Sequence, residues 1–355
     1  MSRSENDQQR PAAPERTETD GPRIVKGLGP HGERPASVDT IRLSAETLAT
    51  ARDRGFKVSI ILHTTQSDWS KRQIDGIKSV LSEARAEILE IVDCSYDPQA
   101  QVAALNRLAK SKPDAIISIP IGSRVVADAF RQISAAGIAL VLLDNSPSGL
   151  LPESDYVSVV SCDNFGLGQI AAQLLAPSIP QGGKICVLTY DLDFFVTAQR
   201  DIAFCTWMRK ERPDIHLSHL KFRSPDRVTG VVEDYFESHP DLGGMFIVWD
   251  EPAIAAMPVI EARLPGLAVT TVDLSQAVAD RLVKGGVLKG VAAQRPYEQG
   301  CTAAVVALLA LTGNPVPPWI ALPGVAVTAD NVSEAYQHVG GAPASPELLV
   351  EKSSD

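Results

Sequence analysis

Carboxylates, amides, an arginine and flat aromatic rings recur in this chain directly behind runs of apolar residues. Asp68 and Trp69 follow Val58–His63, and Asp144 and Asn145 close Ala139–Leu143. Asp193, Phe194 and Phe195 follow Lys184–Tyr190, and Gln199-Arg200 opens the helical pattern behind them. Trp249, Asp250 and Glu251 end Gly244–Trp249, Asp273 closes Leu267–Val272, and Gln294 closes Val287–Ala293. Carboxylates and a guanidinium take pairs of hydroxyls bidentately. An indole or phenyl face covers the apolar C–H side of a ring. The chemistry open to such a set is recognition of a sugar or polyol. Each residue alone also has a plainer reading: Trp69 as partial core, Asp144 as a turn residue, Asp250 as a helix cap. Their shared place at the ends of apolar runs sets them apart, because ligands of open α/β sheets bind outside the carboxyl ends of the strands.

Other chemistries find no support in the residue spacing. Gly27-Leu28-Gly29 follows no strand, so it does not form a dinucleotide fingerprint. Gly182-Gly183-Lys184 lacks the phosphate-loop spacing and reads as a turn. Asp191 and Asp193 lack a calcium-loop pattern, and His216 and His219 fall on opposite faces of one strand, so no metal is expected. No nucleophile is paired with a base and no G-x-S-x-G turn occurs. Asp250 and Glu251 are adjacent, which keeps them from facing each other across a scissile bond. Neither an enzyme nor a cofactor is expected.

The elements that must position the polar set alternate strand and helix from Lys57 onward, which implies an α/β protein with parallel sheets. Strands are expected at Val58–His63, Glu87–Cys94, Ala115–Ile119 and Ala139–Leu143. Helices are expected at Arg72–Ala86, Pro98–Lys110 and Ser123–Ala136, and Thr64–Ser70 reads as a polar loop. Ile41–Gly55 reads as a short helix with Ser44 as N-cap and Gly55 as its stop. After Tyr156–Val160 the pattern restarts with a helix at Phe165–Leu175 and strands at Lys184–Tyr190, His216–Phe222, Gly244–Trp249, Leu267–Val272 and Val287–Ala293. A long helix at Tyr297–Leu311 and an extended piece at Trp319–Val327 remain. Two similar lobes therefore follow one another, and the chain crosses between them near Ser161–Asn164.

A net charge of −10 over 355 residues gives no basic footprint for nucleic acid. No run of about 18 apolar residues suggests a membrane span. Five scattered cysteines read as buried thiols. Residues 1–38 are polar and proline-rich without an apolar signal core, and read as a disordered tail.

From Lys57 to Val332 the chain resembles the type I periplasmic binding proteins, the ribose-binding group that shares its fold with the sugar-sensing domains of LacI-type repressors. The segments that carry the resemblance are PDAIISIP (Pro113–Pro120), VLLDN (Val141–Asn145), SVVSCDNFGLGQIAA (Ser158–Ala172), FFVTAQRDIAF (Phe194–Phe204), VWDEPAIAA (Val248–Ala256), TTVDLS (Thr270–Ser275), KGGVLKGVAAQRPYEQG (Lys284–Gly300) and LPGVAVTADNV (Leu322–Val332). The resemblance implies two Rossmann-like lobes joined by three crossovers, near Ser161–Asp163, Ala293–Arg295 and Leu322–Gly324. It divides the chain into a first lobe of residues 39–160 plus 295–322, a second lobe of residues 161–294 plus 323–340, and a tail of residues 341–355.

The same resemblance places Trp69 where the family stacks an aromatic ring on the sugar. Asp144 and Asp273 match the carboxylates of the two lobes, Arg200 the second-lobe arginine and Gln294 the hinge amide. Asn145 stands where ribose binders carry arginine and Trp249 where they carry asparagine. Both departures point away from ribose, toward a pentose, pentitol or tetritol rather than a hexose. The implied function is that of a monomeric solute-binding protein in the periplasm that serves the permease and ATPase of an ABC importer. The alternative is a sensor that signals its closed state to a partner receptor.

Overall fold

The computed structural model describes residues 24–192 and 194–340; Asp193 and the expected tails at 1–23 and 341–355 lie outside them. The first lobe is built on β1 (Ala36–Ser37), β2 (Lys57–Leu62), β3 (Glu87–Asp93), β4 (Ala115–Ser118), β5 (Ala139–Leu143), β6 (Ser158–Cys162) and β12 (Trp319–Leu322). They lie in the order β1-β12-β6-β5-β4-β2-β3, all parallel. The second lobe holds β7 (Lys184–Tyr190), β8 (His216–Phe222), β9 (Gly244–Ile247), β10 (Ala268–Val272), β11 (Leu288–Ala293) and β13 (Val325–Val327). Their order is β13-β11-β10-β9-β7-β8, parallel except for β13, which runs antiparallel to β11. In the first sheet β2 sits between β3 and β4, and in the second β7 sits between β8 and β9, so the order reverses there and opens the crevice where doubly wound sheets bind ligands.

Helices cover both faces, which is why β4 and β6 are buried throughout and β5 from Leu140 onward, and why β5 reads as an unbroken apolar run. In the first lobe α1 (Ala45–Arg54), α2 (Asp68–Glu83) and α10 (Pro296–Leu311) pack on one face, with Ile77, Leu81 and Leu308 in the core. There α3 (Pro98–Ser111) and α4 (Ala127–Ala135) cover the other face through Leu105, Leu108 and Phe130. In the second lobe α5 (Asn164–Leu175) and α6 (Phe195–Glu211) lie on one face. The opposite face carries α7 (Val228–Ser238), α8 (Asp250–Arg263), α9 (Gln276–Lys284) and α11 (Val332–Gly340).

The chain crosses between the sheets three times: from β6 to α5, from β11 to α10, and from β12 to β13. The single extended piece expected at Trp319–Val327 is thus two strands in two different sheets. Periodicity could not show this, because both halves are short and apolar.

Three other expectations are corrected. The helix expected from Arg72 starts at Asp68, because the Ser67 hydroxyl accepts the Ser70 amide and caps it, so Asp68 and Trp69 are helical. The helix expected from Ser123 starts at Ala127, which leaves residues 122–125 as a bend beside the cleft. The disordered tail expected through Val38 is not found over residues 24–38. There β1 pairs with the edge of β12, Val38 enters the core, and the Lys26 and Gly27 amides donate to the Asp163 carboxylate at 2.6 and 3.0 Å. Asp163 also caps α5 through the Gly166 amide at 2.9 Å, so this N-terminal strap grips the first crossover.

Candidate functional site

A cavity of about 420 Å³ lies between the carboxyl ends of the two sheets, within the range typical of small-molecule sites. Asp144 ends β5 and Asp273 ends β10, and each occupies the left-handed region, with φ of +61° and +75°. Aspartate is among the few residue types that tolerate this conformation. Each backbone amide reaches the neighbouring strand: Asp144 donates to the Val160 carbonyl at 3.1 Å and Asp273 to the Ala292 carbonyl at 3.2 Å. Both carboxylates turn off their strand ends into the cavity.

Each is held by a side-chain amide. Gln299 on α10 donates to Asp144 at 2.9 Å and to the Val160 carbonyl at 3.0 Å. Gln294 donates to Asp273 at 2.6 Å. Arg200 reaches in from α6. Its Nε donates to Asn164 at 2.8 Å, one terminal nitrogen donates to the Val248 carbonyl at 3.1 Å, and that nitrogen stands 3.9 Å from Asp273. Gly168 sets this reach, since any Cβ there would collide with the Arg200 carbonyl and push α6 off α5. Gly300 does the same between α10 and α2, beside Gln299.

Burial dominates the electrostatics. It pushes the Asp144 carboxyl up to about 6, against the Gln299 hydrogen bond and the Arg200 charge. Burial raises Asp273 as well, with Arg200 opposing. Asp250 is raised by burial and by the charge of Asp273. His63, half-buried just after β2, is pushed down to about 4 by desolvation, so it is neutral at pH 7.

Aromatic rings line the walls. Trp69 and Tyr96 both stand edge-on to His63, with centroids 5.7 and 5.0 Å away. Across the cleft Tyr190 meets Trp249 at 5.0 Å and Phe194 at 6.2 Å. Several buried polar atoms around this space find no hydrogen-bond partner among the described residues: Trp69 Nε1, His63 Nδ1, both amide atoms of Asn145, and Gln294 Oε1. Buried polar groups are normally paired, so atoms of this kind converging on one cavity mark where a polar ligand can supply partners.

The structure brings Trp69, Asp144, Asn145, Phe194, Arg200, Trp249, Asp250, Asp273 and Gln294 to the cavity. Asp68 and Phe195 do not line it. Asp68 neighbours Trp69 in the first turn of α2, where successive side chains diverge by about 100°, and Phe195 opens α6 behind the extended cap residue Phe194; of each pair only Trp69 and Phe194 line the cavity. Asp68 accepts the Gln276 amide of the second lobe at 3.3 Å instead. Glu251, named above with Trp249 and Asp250, lines the cavity as well; His63, Tyr96 and Tyr190 line it without a signal read from the sequence, and Gln299 supports it from behind. His63 and Tyr190 end strands, so the strand-end rule that found Asp144 would have found them. Tyr96, in a loop with φ of +58°, and Gln299, in mid-helix, carry no such signal.

With this geometry in view, residues 58–315 match the family described as periplasmic binding protein domain. The ribose import binding protein of Bacillus subtilis strain 168 is 24% identical over 271 residues, 76% of this chain and 86% of the relative. A solute-binding protein of an ABC transporter from Agrobacterium vitis, solved with α-D-tagatopyranose, superposes with a TM-score of 0.72 at 22% identity, covering 79% of this chain and 96% of that one. A second from Agrobacterium vitis, solved with allitol, superposes with a TM-score of 0.71 at 21% identity, covering 80% and 98%. Two parallel α/β lobes, three crossovers and a match over residues 58–315 together place this chain: it belongs to the periplasmic binding protein family, with the type I fold.

Proposed function

We propose that this protein is the solute-binding component of an ABC-type importer and captures a small sugar or sugar alcohol between its lobes without chemical change. The observation that carries the reading is the paired presentation of Asp144 and Asp273 from corresponding strands, facing one cavity with unpartnered amide and indole groups. Carboxylates and amides of that kind take vicinal hydroxyls, and Trp69, Trp249 and Tyr190 offer faces for the C–H side of a ring. Ligands named for relatives of this fold include tagatose and allitol, a sugar and a polyol. Asn145 in place of an arginine and Trp249 in place of an asparagine favour a pentose, pentitol or tetritol.

A ligand bridging both lobes favours the closed arrangement because it contacts both only there. Contacts already reach from α2 to the second lobe: Asp68 to the Gln276 amide, and the Arg72 guanidinium to the Leu274 carbonyl at 3.5 Å and over the Tyr336 ring at 4.3 Å. Delivery to a membrane permease with its ATPase, on the periplasmic side, completes the proposal; no helix among the described residues is long and apolar enough to cross a membrane. A thermal-shift screen of pentoses, pentitols and tetritols tests the reading. A ligand at a hundred times Kd adds about 2.7 kcal/mol of stability, and a flat response across the panel would overturn it.

A further inference from the structure

The charges in the cleft do not balance. Asp144, Asp250, Glu251 and Asp273 line the cavity, and Arg200 is the buried cation among them. The other arginine of the lining, Arg124, is exposed at the rim. Arg200 does not neutralise its neighbours closely: its mapped hydrogen bonds go to the neutral oxygens of Asn164 and Val248, and Asp273 stays 3.9 Å away. Asp144 and Asp273 are held by neutral amides. At the start of α8, Asp250 and Glu251 gain from the helix N-terminus, from the Ser275 hydroxyl and from the Trp249 indole. Burial still pushes both carboxyls above their ordinary range.

An excess of buried carboxylates over cations is costly unless a proton or a positively charged partner relieves it. Two observations outside the acidic groups say that the partner is a ligand. Asn145, 6% exposed, turns toward the same cavity with neither amide atom paired among the described residues. From the other lobe the half-exposed Tyr96 lines the same cavity, close enough for its phenol to feel the charges of Asp250 and Glu251, and Tyr190 and Trp249 line it too. Aromatic faces attract cations.

We propose that the ligand of this cleft is a sugar or polyol carrying a protonated amine, whose ammonium group is received by Asp250 and Glu251 while its hydroxyls are held by Asp144, Asn145 and Asp273. This deepens, and rests on, the reading of the cleft as a sugar or polyol site. An ammonium donates three charge-assisted hydrogen bonds where a hydroxyl donates one uncharged bond.

Calorimetry on the full chain with matched pairs tests it: tetritols and pentitols against their terminal-amine counterparts, and glucose against glucosamine. The expected result is that in at least one pair the amine binds about tenfold or more tighter, a difference of about 1.4 kcal/mol. Asp250→Asn and Glu251→Gln should each narrow that ratio. If the hydroxyl member binds as tightly as the amine in every pair that binds, the amine inference is overturned and the sugar reading stands. If no member of any pair binds, both fall. A ratio unchanged in both variants removes Asp250 and Glu251 as the ammonium site and overturns the inference as stated.

Discussion

Asp144 and Asp273 are counterparts: each ends the fourth strand of its sheet, counted from β3 and β8, and each turns its carboxylate inward from a backbone of positive φ. The two lobes thus present the same device to one cavity from opposite sides. The Asp144→Asn variant keeps the shape and an oxygen for Gln299 but removes the charge. It is expected to lose about 2 kcal/mol or more of binding, at least thirtyfold in Kd, with an unchanged circular dichroism spectrum. Full affinity in calorimetry would remove Asp144 from the site.

Stability should depend on pH through the same groups. A carboxyl whose pKa is raised by folding contributes stability below its unfolded value and loses it as pH rises through the folded one. Asp144 at about 6 and Asp201 at about 7 do this, and Asp163, Asp250, Glu251 and Asp273 shift the same way. His63, lowered to about 4, acts oppositely, losing stability as pH falls from its ordinary value. Six carboxyls outweigh two lowered imidazoles, His63 and His219, so the unliganded melting temperature should fall by a few degrees between about pH 5 and about pH 7.5. Asp144→Asn should flatten that fall; an unchanged slope would show that Asp144 ionises normally.

Gly168→Ala should cost about 1–3 kcal/mol, because the new methyl meets the Arg200 carbonyl and the Ala203 methyl. It should also weaken ligand binding, since α6 carries Arg200. A denaturant midpoint and an affinity both equal to those of the parent would show that the α5–α6 spacing does not set the arginine.

The N-terminal strap can be tested through Asp163. Asp163→Ala removes a helix cap and the acceptor of the Lys26 and Gly27 amides. The cap alone is worth about 1 kcal/mol, and loss of the strap contacts should add faster amide exchange over residues 24–35. Exchange confined to α5 would mean that β1 holds the segment without Asp163.

The doubly wound lobes were legible because buried parallel strands leave unbroken apolar runs, as in Ala139–Leu143, and because Ser44 and Gly55 mark a helix as capping chemistry requires. Asp144 was legible for the same reason, as a charge at the end of such a run. Less legible was which of two adjacent residues faces the cavity. Asp68 and Trp69 differ only by the rotation of one helical step, and the position of the Ser67 cap decides it. Tyr96 and Gln299 were silent in the sequence, since a loop with positive φ and a mid-helix amide acquire their roles only when β3 and α10 are packed. The strap of residues 24–38 was hidden by its own composition: it is polar and proline-rich, and is ordered by backbone hydrogen bonds to Asp163 and β12, which no side-chain pattern encodes.

The cavity between Asp144 and Asp273 is proposed to capture a polyhydroxy ligand. The most direct test of this is isothermal titration of the full chain with the best sugar, polyol or amino-polyol from the thermal-shift panel, run in parallel on Asp144→Asn and Asp273→Asn. Saturable binding at one site per chain is expected in the parent, with loss of the heat in both variants. A parent that gives no heat with any of these compounds, or variants that bind as the parent does, would contradict it.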